Sequence, residues 1–231
     1  MKVKIWLTAL LCITMLASGC ATATDAPPPE TTTTDTATAY PNNTYVYEGA
    51  IKQFLLPEET FSEVRQGKPE FVMLHFTSAV MLSPTDPYNM DVIRSIFVQN
   101  ELSVHYIIDR DGTVYCYVPE NLMAGHAGKG TWKDDPHYTN RINHYSVGIE
   151  IVGIGSPRDM SPYFSADEYA KLDKRLIGFT DAQYASLKAL VTDICARNDI
   201  PMDKDHVIGH NEYAPKKTDP GELFDWDRLL G

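Results

Sequence analysis

Basic residues are scarce in this chain: 20 Lys and Arg stand against 31 Asp and Glu, a formal net charge of −11 over 231 residues. That balance argues against a nucleic-acid or anionic-membrane partner held by bulk electrostatics. An anionic polymer substrate stays open, because charge at a cleft decides that contact. Cysteine is scarcer still, with four residues at 12, 20, 116 and 195 and no CxxC pair, so a thiolate zinc ribbon and a redox dithiol both lack support. Cys116 and Cys195 read as small buried hydrophobes, with a disulfide between them open in an oxidising compartment. Long apolar runs are nearly absent. The one stretch of note, Ile5 to Leu16, is too short for a membrane-spanning helix. No internal repeat is visible.

What is present begins with that stretch. Lys2 and Lys4 precede it, and the segment has the charged start and apolar centre of an export signal. It ends Leu16-Ala17-Ser18-Gly19-Cys20, which resembles the lipobox of bacterial lipoproteins, with Ala17 where leucine is usual. Residues 1–20 are therefore expected to be a lipoprotein signal peptide, and Cys20 to carry the lipid that ties the protein to a membrane. Ala21 in place of aspartate implies, by the same resemblance, the outer membrane facing the periplasm in a two-membrane source. Residues 21–44 are rich in Thr, Pro and Ala, including Pro27-Pro28-Pro29 and Thr31-Thr32-Thr33-Thr34. Such a composition cannot bury enough apolar surface to offset its ordering entropy, so a disordered tether is expected there. The folded domain is expected over 45–231.

Within it, Phe71-Val72-Met73-Leu74-His75-Phe76 reads as a buried strand with His75 at its C-terminal end. Met90 to Asn100 predicts a helix. Two β-rich runs, Ser103 to Ile108 and Thr113 to Val118, flank Asp109-Arg110-Asp111-Gly112 and predict a hairpin. His105 alternates with apolar neighbours there and reads as structural. Gly125-His126-Ala127-Gly128 forms a glycine-rich loop. In the run Ser146 to Gly153, Glu150 stands alone among apolar residues, and a buried carboxylate without a role is costly. Residues 154–179 read as a surface insertion without chemistry. Thr180 and Gln183 form a capping box before an amphipathic face of Tyr184, Leu187, Leu190, Val191, Ile194 and Cys195. Val207-Ile208 then delivers the segment Gly209 to Gly221. Pro215 and Pro220 prevent a continuous helix in that segment, so it is expected to fold as a loop able to bring His210 and Asp219 together. The whole predicts a single α/β domain with a central mixed β-sheet flanked by helices.

Two histidines, one carboxylate and an open fourth position make a catalytic zinc site, for which His75, His210 and Asp219 are the candidates. Glu150 is then a candidate general base on water, and Lys217 a partner for a developing oxyanion. Here the chain resembles the zinc-dependent N-acetylmuramoyl-L-alanine amidases of the type-2 amidase and peptidoglycan-recognition-protein superfamily. The resemblance rests on Leu74 to Ser78, Ser103 to Gly112, Gly125 to Gly128, Asn143 to Glu150, Gly209 to Gly221 and Leu223 to Trp226. It implies that superfamily's fold, Zn²⁺ held by His75, His210 and Asp219, an acid/base at Glu150 and an oxyanion-stabilising Lys217. His126 matches a histidine beside the substrate cleft that does not bind metal. Gly125 replaces a tryptophan common in the family. The implied reaction is hydrolysis of the amide between N-acetylmuramic acid and L-alanine in peptidoglycan or muropeptides. The alternatives are a non-catalytic peptidoglycan-binding module and a zinc peptidase cutting within the stem peptide. Lys216 reads as a solvated charge.

Overall fold

The structure, a computed structural model, describes residues 51–60, 63–65 and 67–231. The expected signal peptide 1–20, the lipidated Cys20 and the tether 21–44 lie outside the described residues. No described helix is long and apolar enough to cross a membrane.

The strands are β1 (Ile51–Gln53), β2 (Phe71–Thr77), β3 (Tyr106–Ile108), β4 (Val114–Cys116), β5 (Ser146–Val152) and β6 (Val207–Gly209). The helices are α1 (Met90–Gln99), α2 (Ala166–Tyr169), α3 (Asp181–Asn198), α4 (His210–Tyr213) and α5 (Trp226–Leu230). The strands form one sheet in the order β1-β4-β3-β5-β2-β6. The β3–β4 hairpin is antiparallel and every other pairing is parallel, which gives the mixed sheet of an α/β domain. The hairpin strands are shorter than their apolar runs. Ser103 leaves the hairpin, its N–H donating to Gly125 O, while His105 O still accepts the Tyr117 N–H at 2.9 Å and its own N–H turns to Gly148 O.

Strands β2 and β5 pair over seven positions, from Phe71 with Ser146 to Thr77 with Val152. Side chains alternate across a strand, so this register sorts the two sequences onto two faces. Val72, Leu74, Val147, Ile149 and Ile151 meet Leu187, Leu190, Val191 and Ile194 of α3 in the largest apolar cluster. Every polar residue of interest is on the opposite face: His75, Ser146 and Glu150, with Gly148 between the last two. That face is covered in part by α1, through Ile93 and Phe97, and in part by the segment after β4, through Ala127, Trp132 and Ile142. Between these two covers lies the site.

Helix α3 starts as the capping box predicts. The Gln183 N–H donates to Thr180 Oγ1 at 3.1 Å, and the Thr180 N–H to Gln183 Oε1 at 3.0 Å. Gln183 Nε2 also donates to Val152 O at 2.7 Å and Ile108 O at 3.2 Å, so the cap ties α3 to the ends of β5 and β3. Thr180→Ala is expected to cost about 0.5–2 kcal/mol of stability. A lower denaturant midpoint at unchanged m-value would register it.

One expectation changes. Residues 154–179 are not merely a surface insertion. Ile154 and Met160 are buried in a cluster of their own, and Asp159 is buried beside them. Asp159 Oδ2 accepts the N–H groups of Ser156 and Glu222, each at 3.0 Å, while Ser156 Oγ donates to Glu222 Oε2 at 2.8 Å. The segment thus pins the chain just after Asp219, which charge content alone could not reveal. Cys116 and Cys195 are both buried in the α3 cluster with no disulfide joining them, in keeping with their reading as small buried hydrophobes. Burial pushes the Cys195 thiol up to about 11, which leaves it unreactive.

Candidate metal centre

His75 leaves the C-terminal half of β2. Strand β6 pairs with β2 so that Gly209 stands beside Leu74, and His210, the next residue, opens α4 next to His75. The chain then runs through Pro215 and Pro220 as a loop. The Asn211 N–H donates to Asp219 O at 2.9 Å, which closes the loop and returns Asp219 to His210. Three side chains distant in sequence therefore converge for reasons of backbone register and one loop-closing bond.

Their donor atoms are close. His75 Nδ1 is 3.1 Å from His210 Nδ1 and 2.8 Å from Asp219 Oδ2, and His210 Nδ1 is 2.9 Å from the same oxygen. Tetrahedral ligands about 2.0–2.1 Å from a zinc ion stand about 3.3 Å apart, so this triangle needs only a slight widening. Proton placement also favours a cation. His210 Nε2 lies 2.9 Å from Ala127 O, which can only accept, so that nitrogen carries the hydrogen. In a neutral ring Nδ1 is then bare, and it faces a carboxylate oxygen. Two lone-pair donors that close repel each other unless a positive charge lies between them. Burial, with His210 and Lys217 nearby, lowers the His75 pKa although Asp219 raises it. A second proton on His75 is therefore disfavoured. Asp219, although burial raises it, is held below the ordinary carboxylate range by the side chains of His210 and His75 beside it. The three residues fit a divalent cation with His₂Asp ligation, and among the described residues they are the one such group.

Glu150 is the register partner of His75 on the neighbouring strand, on the same face. Its Oε2 is enclosed and has no hydrogen-bond partner. Burial and then the charge of Asp219 push its carboxyl well above the usual range, and Lys217 pulls the other way. A cation bound at the triangle would also pull it down. Lys217 is exposed, with its charge felt at both His75 and Glu150. Lys216 is exposed to solvent.

His126 lies behind His75. Its Nδ1 is 2.9 Å from His75 Nε2, the ring nitrogen remote from the triangle, and its own Nε2 is 3.1 Å from Ser146 Oγ. Burial, reinforced by His75, His105, His210 and Arg65, holds it well below the usual histidine range, so the ring is neutral. His105 is turned to the backbone: its Nδ1 accepts the Gly148 N–H at 3.0 Å. Ser146, the Ala127 carbonyl and Asp159 are not singled out by residue type. Ser146 was detectable, since it shares the period-two face of Glu150. The other two depend on loop conformation.

A family model for N-acetylmuramoyl-L-alanine amidases matches residues 65–222. The 1,6-anhydro-N-acetylmuramyl-L-alanine amidase AmpD of Enterobacter cloacae is 37% identical over 129 residues, 55% of this chain and 55% of that protein. The chain thus spans about half the length of the curated relatives it matches. A selenomethionine derivative of AmpD superposes with a TM-score of 0.54 at 25% identity, covering 78% of this chain and 92% of the other. AmiD from Escherichia coli, in complex with anhydro-N-acetylmuramic acid–L-Ala–D-γ-Glu–L-Lys, gives 0.51 at 25% identity, over 70% of this chain and 56% of the other.

Proposed function

This chain belongs to the N-acetylmuramoyl-L-alanine amidases of the type-2 amidase superfamily, and from that premise we propose that it hydrolyses the amide between N-acetylmuramic acid and the L-alanine of the stem peptide, with Zn²⁺ as its metal. The observation that carries the reading is the His75–His210–Asp219 triangle with the unpartnered, enclosed Glu150 oxygen on the adjacent strand. The names of the AmpD relatives add 1,6-anhydro-muropeptides to the substrates in view.

Zn²⁺ held by His75, His210 and Asp219 would supply Lewis acidity to the scissile carbonyl and make water acidic near neutral pH. Glu150 takes the proton of the attacking water. The same carboxyl returns it to the departing amine of L-alanine, so one group serves as base and then as acid. Its position is suited to this, because an oxygen without a protein partner is free to hold a proton. The Lys217 ammonium, exposed at the loop, meets negative charge as it develops on the carbonyl oxygen. Lipid on Cys20 holds the domain at the cell envelope, on the outer membrane facing the periplasm in a two-membrane source. The support for that part is the sequence from Lys2 to Cys20.

Mass spectrometry of sacculi and of anhydro-muropeptides after digestion tests the reaction. Free stem peptides beside intact glycan are the expected products. Cuts inside the stem peptide would assign a peptidase instead. Zinc binding without any release of peptide would leave a binding module.

A further inference from the structure

We infer that Ser146 and His126 fix the tautomer of His75 from behind, so that His126 is a positioning residue for the metal site. The inference rests on the cation reading given above. Ser146 Oγ is 2.8 Å from Ile142 O and 3.1 Å from His126 Nε2. A carbonyl only accepts, so the single hydroxyl proton goes to Ile142. Ser146 then offers His126 lone pairs alone, and His126 Nε2 must carry a hydrogen. In the neutral ring this leaves Nδ1 bare, and it accepts from His75 Nε2 at 2.9 Å. With its proton committed there, His75 presents a bare Nδ1 to the triangle, the form a metal requires.

The order of bonds runs one way, and its direction matters. If Ser146 donated to His126 instead, the chain would reverse and place a proton on His75 Nδ1, where a cation must bind. The Ile142 carbonyl, at the shorter distance, selects the competent direction.

Two further details show that the backing is built. A Cβ on Gly148 would lie 2.6 Å from Cγ of His126, so β5 gives up a side chain where the ring rests on it. The next residue backs the second ligand, since Ala127 O accepts from His210 Nε2. Asn143 Oδ1 in turn accepts the Ala127 N–H at 2.9 Å. Adjacent residues of one loop thus set both ligand histidines, one by a ring and one by a carbonyl.

The test uses nitrogen-15 NMR of the metal-free protein to locate ring protons, and chelator competition to measure zinc affinity. Nε2–H is expected on both His75 and His126. Ser146→Ala and His126→Phe are each expected to weaken zinc binding about 10–100-fold. The double variant should be no weaker than the worse single one, because both act through one chain of bonds. His126→Gln, whose amide can accept from His75 and donate to Ser146, should recover most of the affinity. Thermal melting of the metal-free forms separates a folding defect, and Ser146→Ala, a small change, answers if His126→Phe does not fold. A proton on Nδ1 of His126, or unchanged affinity in both folded variants, overturns the inference. Failure of the wild-type protein to bind zinc would instead overturn the cation reading, with the NMR result on the tautomer standing apart from it.

Discussion

Glu150→Gln is expected to lower kcat for muropeptide hydrolysis by about 10²–10⁴-fold while zinc content stays at the wild-type level. Glutamine keeps the volume and removes the basic oxygen. Because Glu150 is not one of the three converging ligands, the metal triangle should persist. The fold should persist too. The Glu150 oxygen is enclosed without a partner, so the native charge is a burden on stability that a neutral amide relieves. The expected signature is therefore lost turnover with full zinc and an unchanged or higher melting temperature in the metal-free form. Full turnover would remove Glu150 from the mechanism. Loss of zinc together with activity would put it among the ligands.

His210→Ala is expected to lose both metal and activity. A site with His75 and Asp219 alone has two ligands where catalytic zinc needs three. The Lewis-acid contribution at stake is several kcal/mol, about a thousandfold in rate or more. Chelator treatment of the wild-type protein should reproduce the loss, and added zinc should restore the wild-type protein but not the variant. Lys216→Ala, an exposed neighbour on the same loop, is the control and should retain both. Turnover by a chelator-stripped protein would remove the metal from the reaction.

Much of this is legible in the sequence. Strands β2 and β5 announce themselves because a central parallel strand is buried on both faces and so reads as an apolar run, against which His75 and Glu150 stand out. Helix α3 was legible because its cap and its apolar face are local signals. What stayed hidden depends on contacts across the chain. Asp159 looks like one charge among many at residues 154–179, and only the fold brings it to Glu222. The position of His126 behind His75 depends on Gly148 lacking a side chain two strands' worth of sequence away. Ala127 acts through its carbonyl, to which residue type is blind. Strand register then explains why His75 and Glu150 meet at all: a slip of one residue would turn one of them to the opposite face.

The clamp at Asp159 has a consequence for metal loss. Asp219 belongs to a loop closed at one end by Asn211, through the Asp219 backbone carbonyl, and secured just beyond by Asp159, and neither fastening uses a ligand side-chain atom. The sheet and its α3 core are complete without those side chains as well. Small zinc domains are unfolded until the ion arrives, and their affinity is folding energy. In this protein the core and both fastenings are made without ligand side chains, so chelation is expected to leave the fold standing.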